Sequence, residues 1–261
     1  MASRDYPGVR KIEEKVRFSI PDTALKKIVR KTAFSCSTDE SRPIFTGCLM
    51  ELSEDSIRMV ATNTHRLSLE EDKLSSFEGQ VQQSIVPARI LSELMHTLNS
   101  EVPRDVIVSC NYNEISFSFD NIFLKSRLIE GQFPDYHRVI PTEFNTRVTL
   151  KRADFLAAVN RVSLIARSSD YNIIRLEFGS DTVHISSNNP EIGNAEETVA
   201  ASIDGPGIVI AFNSVYINDV LKNMDSESFC FSMSEPLRPA IIREVEGDEA
   251  FLYVITPVKT H

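Results

Sequence analysis

A domain-length repeat constrains the fold of this chain more than any other feature of its sequence. From Val16 the apolar pattern gives a short strand, VRFSIP, then a helix to about Phe34 with Pro21 early and Asp22 as its cap, its stripe being Leu25, Ile28, Val29 and Ala33. IFTGCLMELS and SIRMVATNTHRLSLEE follow as hairpin strands, QQSIVPARILSELMHTL as strand into helix, and DVIVSCNY, EISFSFD and IFLKSRLIEG as short alternating strands. From Thr146 the same plan begins again: the strand TRVTLK, the helix RADFLAAVNRVSLIA, then IIRLEFG, TVHISSNN and EIGNAEETVAASIDG. IVIAFNSVYINDVLKNM is again strand into helix, so Leu91 and Leu94 correspond to Ile217 and Val220, and ESFCFSMSE, PAIIREVEG and FLYVITPV close the unit. The reading is two copies of one α+β module, residues 16–141 and 146–261, each with antiparallel strands and two helices.

Composition excludes several classes. No apolar run approaches the roughly 18 residues of a membrane span. The N-terminus MASRDYPGVRKIEEK is charged throughout and lacks a secretory signal, which points to the cytoplasm. Cys36, Cys48, Cys110 and Cys230 show no C-x-x-C spacing and read as reduced core residues. None of the five histidines lies three to five residues from another His or Cys, so no metal is expected. No nucleophile elbow or phosphate loop occurs, and the pairs Glu13–Glu14, Glu70–Glu71 and Glu196–Glu197 sit in polar stretches as solvated charge. The expectation is a protein with no catalytic residues and no cofactor.

Charge distribution is more informative. A formal charge of -9 argues against nucleic acid, because phosphate binding needs Lys and Arg to replace counterions. Yet Lys26, Lys27, Arg30 and Lys31 share the helix side opposite the apolar stripe, as i,i+4 neighbours do. The corresponding second-unit helix carries Lys151, Arg152, Arg161 and Arg167 around a stripe of Phe155, Val159, Val162 and Ala166. One basic helix face is ordinarily solvated surface; its occurrence in both repeats makes a DNA-facing role a real alternative.

Several strings, in order along nearly the whole chain, carry a resemblance. They are STDESRPIFTG at 37–47, VATNTHRLSL at 60–69, IVPARILSEL at 85–94 and EGQFPDYHRVIP at 130–141. SSNNPEIGNAEE at 186–197, IAFNSVYINDVL at 210–221, PLRPAIIR at 236–243 and YVITPV at 253–258 continue it. Together they resemble the second and third domains of the bacterial DNA polymerase III β subunit, the sliding clamp family, with residues 1–15 similar to the tail of the first domain. The resemblance implies a closed ring of two protomers, helices facing the hole and sheets outside. It implies a processivity factor that takes part in polymerase activity only as a holoenzyme subunit. The implied partners are double-stranded DNA bound without sequence preference, DNA polymerase III subunits, the clamp loader and other clamp-binding peptides. The family's ring joins a first domain to a third, so a homodimer is implied at full length and a monomer for these two units alone.

The family's peptide pocket lies where its second and third domains meet. By matching strings it carries over to Phe45, to Thr62, Thr64, His65, Arg66 and Leu67, and to Pro134, Arg138 and Val139. Pro239, Val254, Thr256, Pro257 and Val258 complete it from the second unit. The family usually has Asp-Gly at Asn63 and Thr64, an aliphatic residue at Phe45, and often Met at Thr256 and Val258. A side chain at 64 and an aromatic at 45 would narrow the groove. Two other readings stand beside this one: a peptide-binding adaptor of clamp fold that never encircles DNA, and a hydrolase using His65 with a nearby carboxylate.

Overall fold

The computed structural model describes residues 12–98, 102–167, 172–247 and 249–259. Residues 1–11 of the stretch likened to a first-domain tail therefore lie outside the described residues. The first unit runs β1 (Val16–Pro21), α1 (Asp22–Thr32), β2 (Gly47–Leu52), β3 (Ser56–Thr62), β4 (Arg66–Lys73) and β5 (Ser76–Gly79). It continues with β6 (Gln83–Pro87), α2 (Ala88–Thr97), β7 (Asp105–Cys110), β8 (Glu114–Phe119) and β9 (Ile122–Arg127). The second unit repeats this order with one strand fewer between its helices: β10 (Thr146–Lys151), α3 (Arg152–Ala166), β11 (Ile173–Phe178), β12 (Thr182–Asn189) and β13 (Gly193–Asp204). β14 (Ile208–Asn213), α4 (Ser214–Asn223), β15 (Ser228–Met233), β16 (Ala240–Glu244) and β17 (Leu252–Ile255) complete it.

Pro21, with φ fixed at -56°, occupies the cap of α1, and no side chain caps the helix there. Asp22 is thus the first helical residue rather than the cap expected from sequence. Its backbone N–H donates to Arg104 O at 2.9 Å, and its buried carboxylate lies 3.8 Å from the Arg104 guanidinium. α1 ends at Thr32, and Ala33–Ser35 tighten into a 3₁₀ turn. In α4 the cap is a side chain: Asn213 accepts a hydrogen bond from Val215 N–H at 2.9 Å.

Among the described residues all strand pairings are antiparallel. One five-stranded sheet has the order β5-β1-β7-β8-β9, and a 12-stranded sheet runs β14-β11-β12-β13-β10-β15-β16-β17-β4-β3-β2-β6. The two units are fused within the larger sheet, because β17 pairs with β4 in the register Leu252↔Leu69, Tyr253↔Ser68, Val254↔Leu67 and Ile255↔Arg66. Period-two alternation then sorts the β4 side chains. Leu67 and Leu69 face one side and join a cluster with Leu49, Val60, Ile85, Tyr136, Ile241 and Val254, drawn from both units. Arg66, Ser68 and Glu70 face the helices; Ser68 Oγ lies 2.6 Å from Ser35 Oγ in the 3₁₀ turn that follows α1. Each unit also has its own core, under α1 and α2 in the first and under α3 and α4 in the second. The corresponding positions Leu91, Leu94, Ile217 and Val220 are all buried in these cores, as the repeat predicts.

Candidate functional site

The cluster that joins the units opens into a groove. One wall is the β3–β4 hairpin. Asn63 Oδ1 accepts from the N–H groups of His65 and Arg66, both at 3.1 Å, while Thr62 Oγ1 accepts from Thr64 N–H at 3.1 Å and donates to Arg66 O at 2.6 Å. This tight turn holds Thr64 in the left-handed region at φ 76°. Thr256 N–H donates to His65 O at 2.9 Å, fastening the segment after β17 to the same turn.

The opposite wall is the segment Phe133 to Val139. Gly131, at φ 137°, bends the chain into it; a Cβ there would lie 2.7 Å from the Ile44 side chain. Tyr136 anchors it by donating to Glu51 Oε2 at 2.6 Å, and burial with that carboxylate pushes its phenol up to about 12. Phe133 packs edge-on against Phe45, with ring centroids 6.1 Å apart. The second unit contributes Pro239, Val254 and Thr256, and the enclosed space is about 250 Å³.

Arg66 ties this floor to the helices. Nη1 donates to Asp219 Oδ2 on α4 at 2.6 Å and Nη2 to Phe34 O at 2.5 Å, while the guanidinium carbon lies 4.5 Å from the centre of the Tyr216 ring. Burial alone would lower the Arg66 pKa, but the oxygens of Tyr253 and Asp219 outweigh it and keep the group firmly charged.

Of the residues carried over by resemblance, Phe45, Thr62, Thr64, Arg66, Leu67, Pro134, Val139, Pro239, Val254 and Thr256 border this cavity. Others do not. His65 borders an adjoining recess of about 490 Å³ and stacks on Tyr216 at 6.5 Å. Arg138 is 83% exposed, pairs with Asp135 at 2.9 Å and borders a third recess. Pro257 and Val258 are not part of its lining, and Val258 N–H donates to Ala211 O at 2.8 Å. Phe133, Asp135 and Tyr136 border the groove but were not singled out from the sequence, although they belong to the same FPDYHRV string.

The basic helix faces need correction. Lys31 does not face solvent: its side chain is 0% exposed and pairs with Glu244, itself 1% exposed, at 2.7 Å. The 3.6-residue period that places 27 and 31 together does not know that a second unit covers that face. Arg30 is also drawn across the junction, to Asp225 at 2.6 Å and Asn223 O at 2.8 Å. Lys27 pairs with Asp72 at 2.8 Å and Glu70 at 3.3 Å on β4. Arg152 donates to Ser226 O at 2.8 Å and Leu221 O at 3.3 Å, and Arg161 pairs with Glu197 at 2.6 Å. Lys151 and Arg167 are exposed and Lys26 is half-exposed.

No group of three or more metal-ligating side chains occurs among the described residues. The Asp219 carboxylate is engaged by Arg66. Cys36 Sγ and Cys48 Sγ lie 3.5 Å apart as free thiols, an adjacency that their sequence separation hides.

Two sequence profiles cover this architecture unit by unit: DNA polymerase III beta subunit, central domain, matches residues 19–135, and the C-terminal domain of the same subunit matches residues 137–259. The chain belongs to the beta sliding clamp family. Among curated relatives, the beta sliding clamp of Bacillus subtilis (strain 168) is 34% identical over 98% of this chain and 68% of its own length. That of Streptococcus pneumoniae (TIGR4) is 33% identical over 99% and 68%. The crystal structure of the Bacillus subtilis clamp superposes with a TM-score of 0.92 at 32% identity, covering 100% of this chain and 69% of that one. A Bartonella birtlesii clamp solved bound to griselimycin gives 0.91 at 32% identity, covering 99% and 70%. The fold is therefore the clamp fold of two repeated α+β modules.

Proposed function

We propose that this chain serves DNA replication as a sliding clamp, a non-catalytic processivity factor that holds DNA polymerase III and other proteins on DNA through the groove between its two units. The observation that carries the peptide-binding part is the groove itself. It is mostly apolar, it is built by Phe45, the β3–β4 hairpin and the Phe133–Val139 segment together with residues of the second unit, and it is bordered by Arg66, whose guanidinium is fixed on the helix side. Such a site suits an extended peptide with a hydrophobic end. The relative solved with griselimycin supports ligand binding by clamps of this family.

The ring of two protomers, its loading by a clamp loader, and a monomeric state for these two units alone belong to the same proposal. DNA would pass the helices, where Lys26, Lys151 and Arg167 offer exchangeable phosphate contacts that resist sliding little. The engagement of Lys27, Arg30 and Lys31 in ion pairs favours the adaptor reading, in which the fold binds peptides without encircling DNA. Retention on closed circular DNA after loading, with release on linearisation, distinguishes the two.

The groove is tested by fluorescence anisotropy with a labelled peptide ending in Leu-Phe. Val139 is half-exposed on the rim, so Val139→Glu should fold normally yet weaken binding about tenfold or more by placing a charge in the apolar cavity. Unchanged binding would place the peptide elsewhere.

A further inference from the structure

The groove and the recess beside it are distinct in character. The groove is lined largely by carbon; the recess, about 490 Å³, is bordered by Asp39, Arg42, Asn63, His65 and Tyr216 and is mostly polar. Phe45, Thr64 and Arg66 border both, so these three residues lie where the two spaces adjoin. Arg66 is fixed on the helix side by Asp219 and Phe34 O and so does not obstruct the passage. Phe45 is braced from behind by Phe133. Thr64 is exposed at the top of its turn.

The conformation of Thr64 is the second observation. Among the described residues, three non-glycine residues have positive φ: Thr64, Asp120 and Asn172. Asp and Asn tolerate the left-handed region; a β-branched residue does not do so readily. The turn nevertheless holds Thr64 there, through Thr62 Oγ1, Asn63 Oδ1 and the Thr256 bond to His65 O. Strain of this kind persists where surrounding bonds over-determine it, and here it puts a branched residue where the groove and the recess adjoin.

We infer that Thr64 and Phe45 form a sill that confines a bound peptide to the apolar groove and hinders its extension into the polar recess. This rests on the groove being the peptide site. The clamp then selects ligands by a compact hydrophobic end and gains little from polar residues preceding it.

Two labelled probes test this: an acetylated Leu-Phe dipeptide, and a hexapeptide with the same end preceded by four polar residues. The native chain should bind both with affinities within about threefold. Thr64→Gly should tighten the hexapeptide about tenfold while leaving the dipeptide within about twofold. Thr64→Ala, which keeps the backbone demand but removes the branched end, should give part of this gain, and Phe45→Leu a gain in the same direction. Equal changes for both probes would mean that the turn acts on the groove as a whole, and no change in either would mean that no sill exists. Both results overturn the inference while leaving the groove as the site, provided Val139→Glu still weakens the dipeptide. Should neither probe bind the native chain or any variant, the peptide site and the sill fall together.

Discussion

Arg66 Nη1 lies 2.6 Å from Asp219 Oδ2, so the guanidinium of a residue that borders the groove is held on the helix side by a carboxylate of the other unit. Arg66 is 8% exposed and Asp219 32%, which makes the pair unequal: removing the arginine exposes a carboxylate that water can reach, whereas removing the carboxylate strands a buried cation.

Arg66→Ala should therefore destabilise the chain by about 2–3 kcal/mol, below the usual range for a fully buried pair because Asp219 is partly solvated. Asp219→Ala should cost at least as much. Urea unfolding followed by far-UV circular dichroism measures both, and a loss under about 0.5 kcal/mol for either would show that the junction does not depend on this pair.

The fold was legible in the sequence because each unit repeats one apolar pattern, and a pattern seen twice excludes most accidental periodicities. Leu91 with Ile217 and Leu94 with Val220 fell into equivalent core positions for that reason. The walls of the groove at Thr62, Leu67, Pro134 and Val254 were reached only through matching strings, since each residue by itself looks like strand core or a turn. Tyr136 carries no such signal, because an anchoring phenol and a surface one are alike in sequence and only the fold brings Glu51 beside it. The burial of Lys31 escapes the sequence for a related reason: helix periodicity reports which residues share a face, not what covers that face. Nothing local in KKIVRK announces that Glu244, far along the chain, waits to neutralise it.

Acid should loosen the junction between the units. The Asp225 pKa is held below its ordinary value of 3.8: partial burial raises it, but the Arg30 guanidinium and the Lys31 ammonium outweigh that effect. A carboxylate whose folded pKa is depressed contributes stability that is present above the unfolded value and is lost as pH falls through the folded one. The loss should begin near the ordinary value of 3.8 and proceed below it. Thermal melts across pH 6 to about 3 should fall less steeply for Asp225→Asn than for the native chain. Parallel curves would remove this residue from the acid response.

Thr64→Gly should be neutral or stabilising, in contrast to most changes at a tight turn. Relief of the left-handed conformation is worth about 1–2 kcal/mol, and the added freedom of glycine in the unfolded chain takes back roughly 0.5–1. A net gain of about 0.5 kcal/mol is expected, because the hydrogen bonds of the turn use backbone groups and the side chains of Thr62 and Asn63, which remain. A loss above about 1 kcal/mol would show that the Thr64 side chain supports the hairpin and does not merely occupy the crossing.

Lys31 and the exposed cations should separate stability from DNA binding. Lys31→Met leaves Glu244 buried without its main partner, although Asp225 N–H still donates to Glu244 Oε1, so a cost of about 3 kcal/mol is expected. Since the Lys31 ammonium is shielded from solvent, its removal should not alter the dependence of DNA affinity on salt. Lys151→Glu with Arg167→Glu should behave in the opposite way. Both side chains are exposed, so stability should change by under about 0.5 kcal/mol, while the slope of log affinity against log salt should shallow by up to about 2. These slopes are measured by anisotropy with a labelled duplex at low salt, on proteins whose unfolding has been followed in parallel. If Lys31→Met flattened the salt dependence in a protein of native stability, or the double reversal left that dependence unchanged, the division of the basic residues into junction and DNA-facing sets would have to be redrawn.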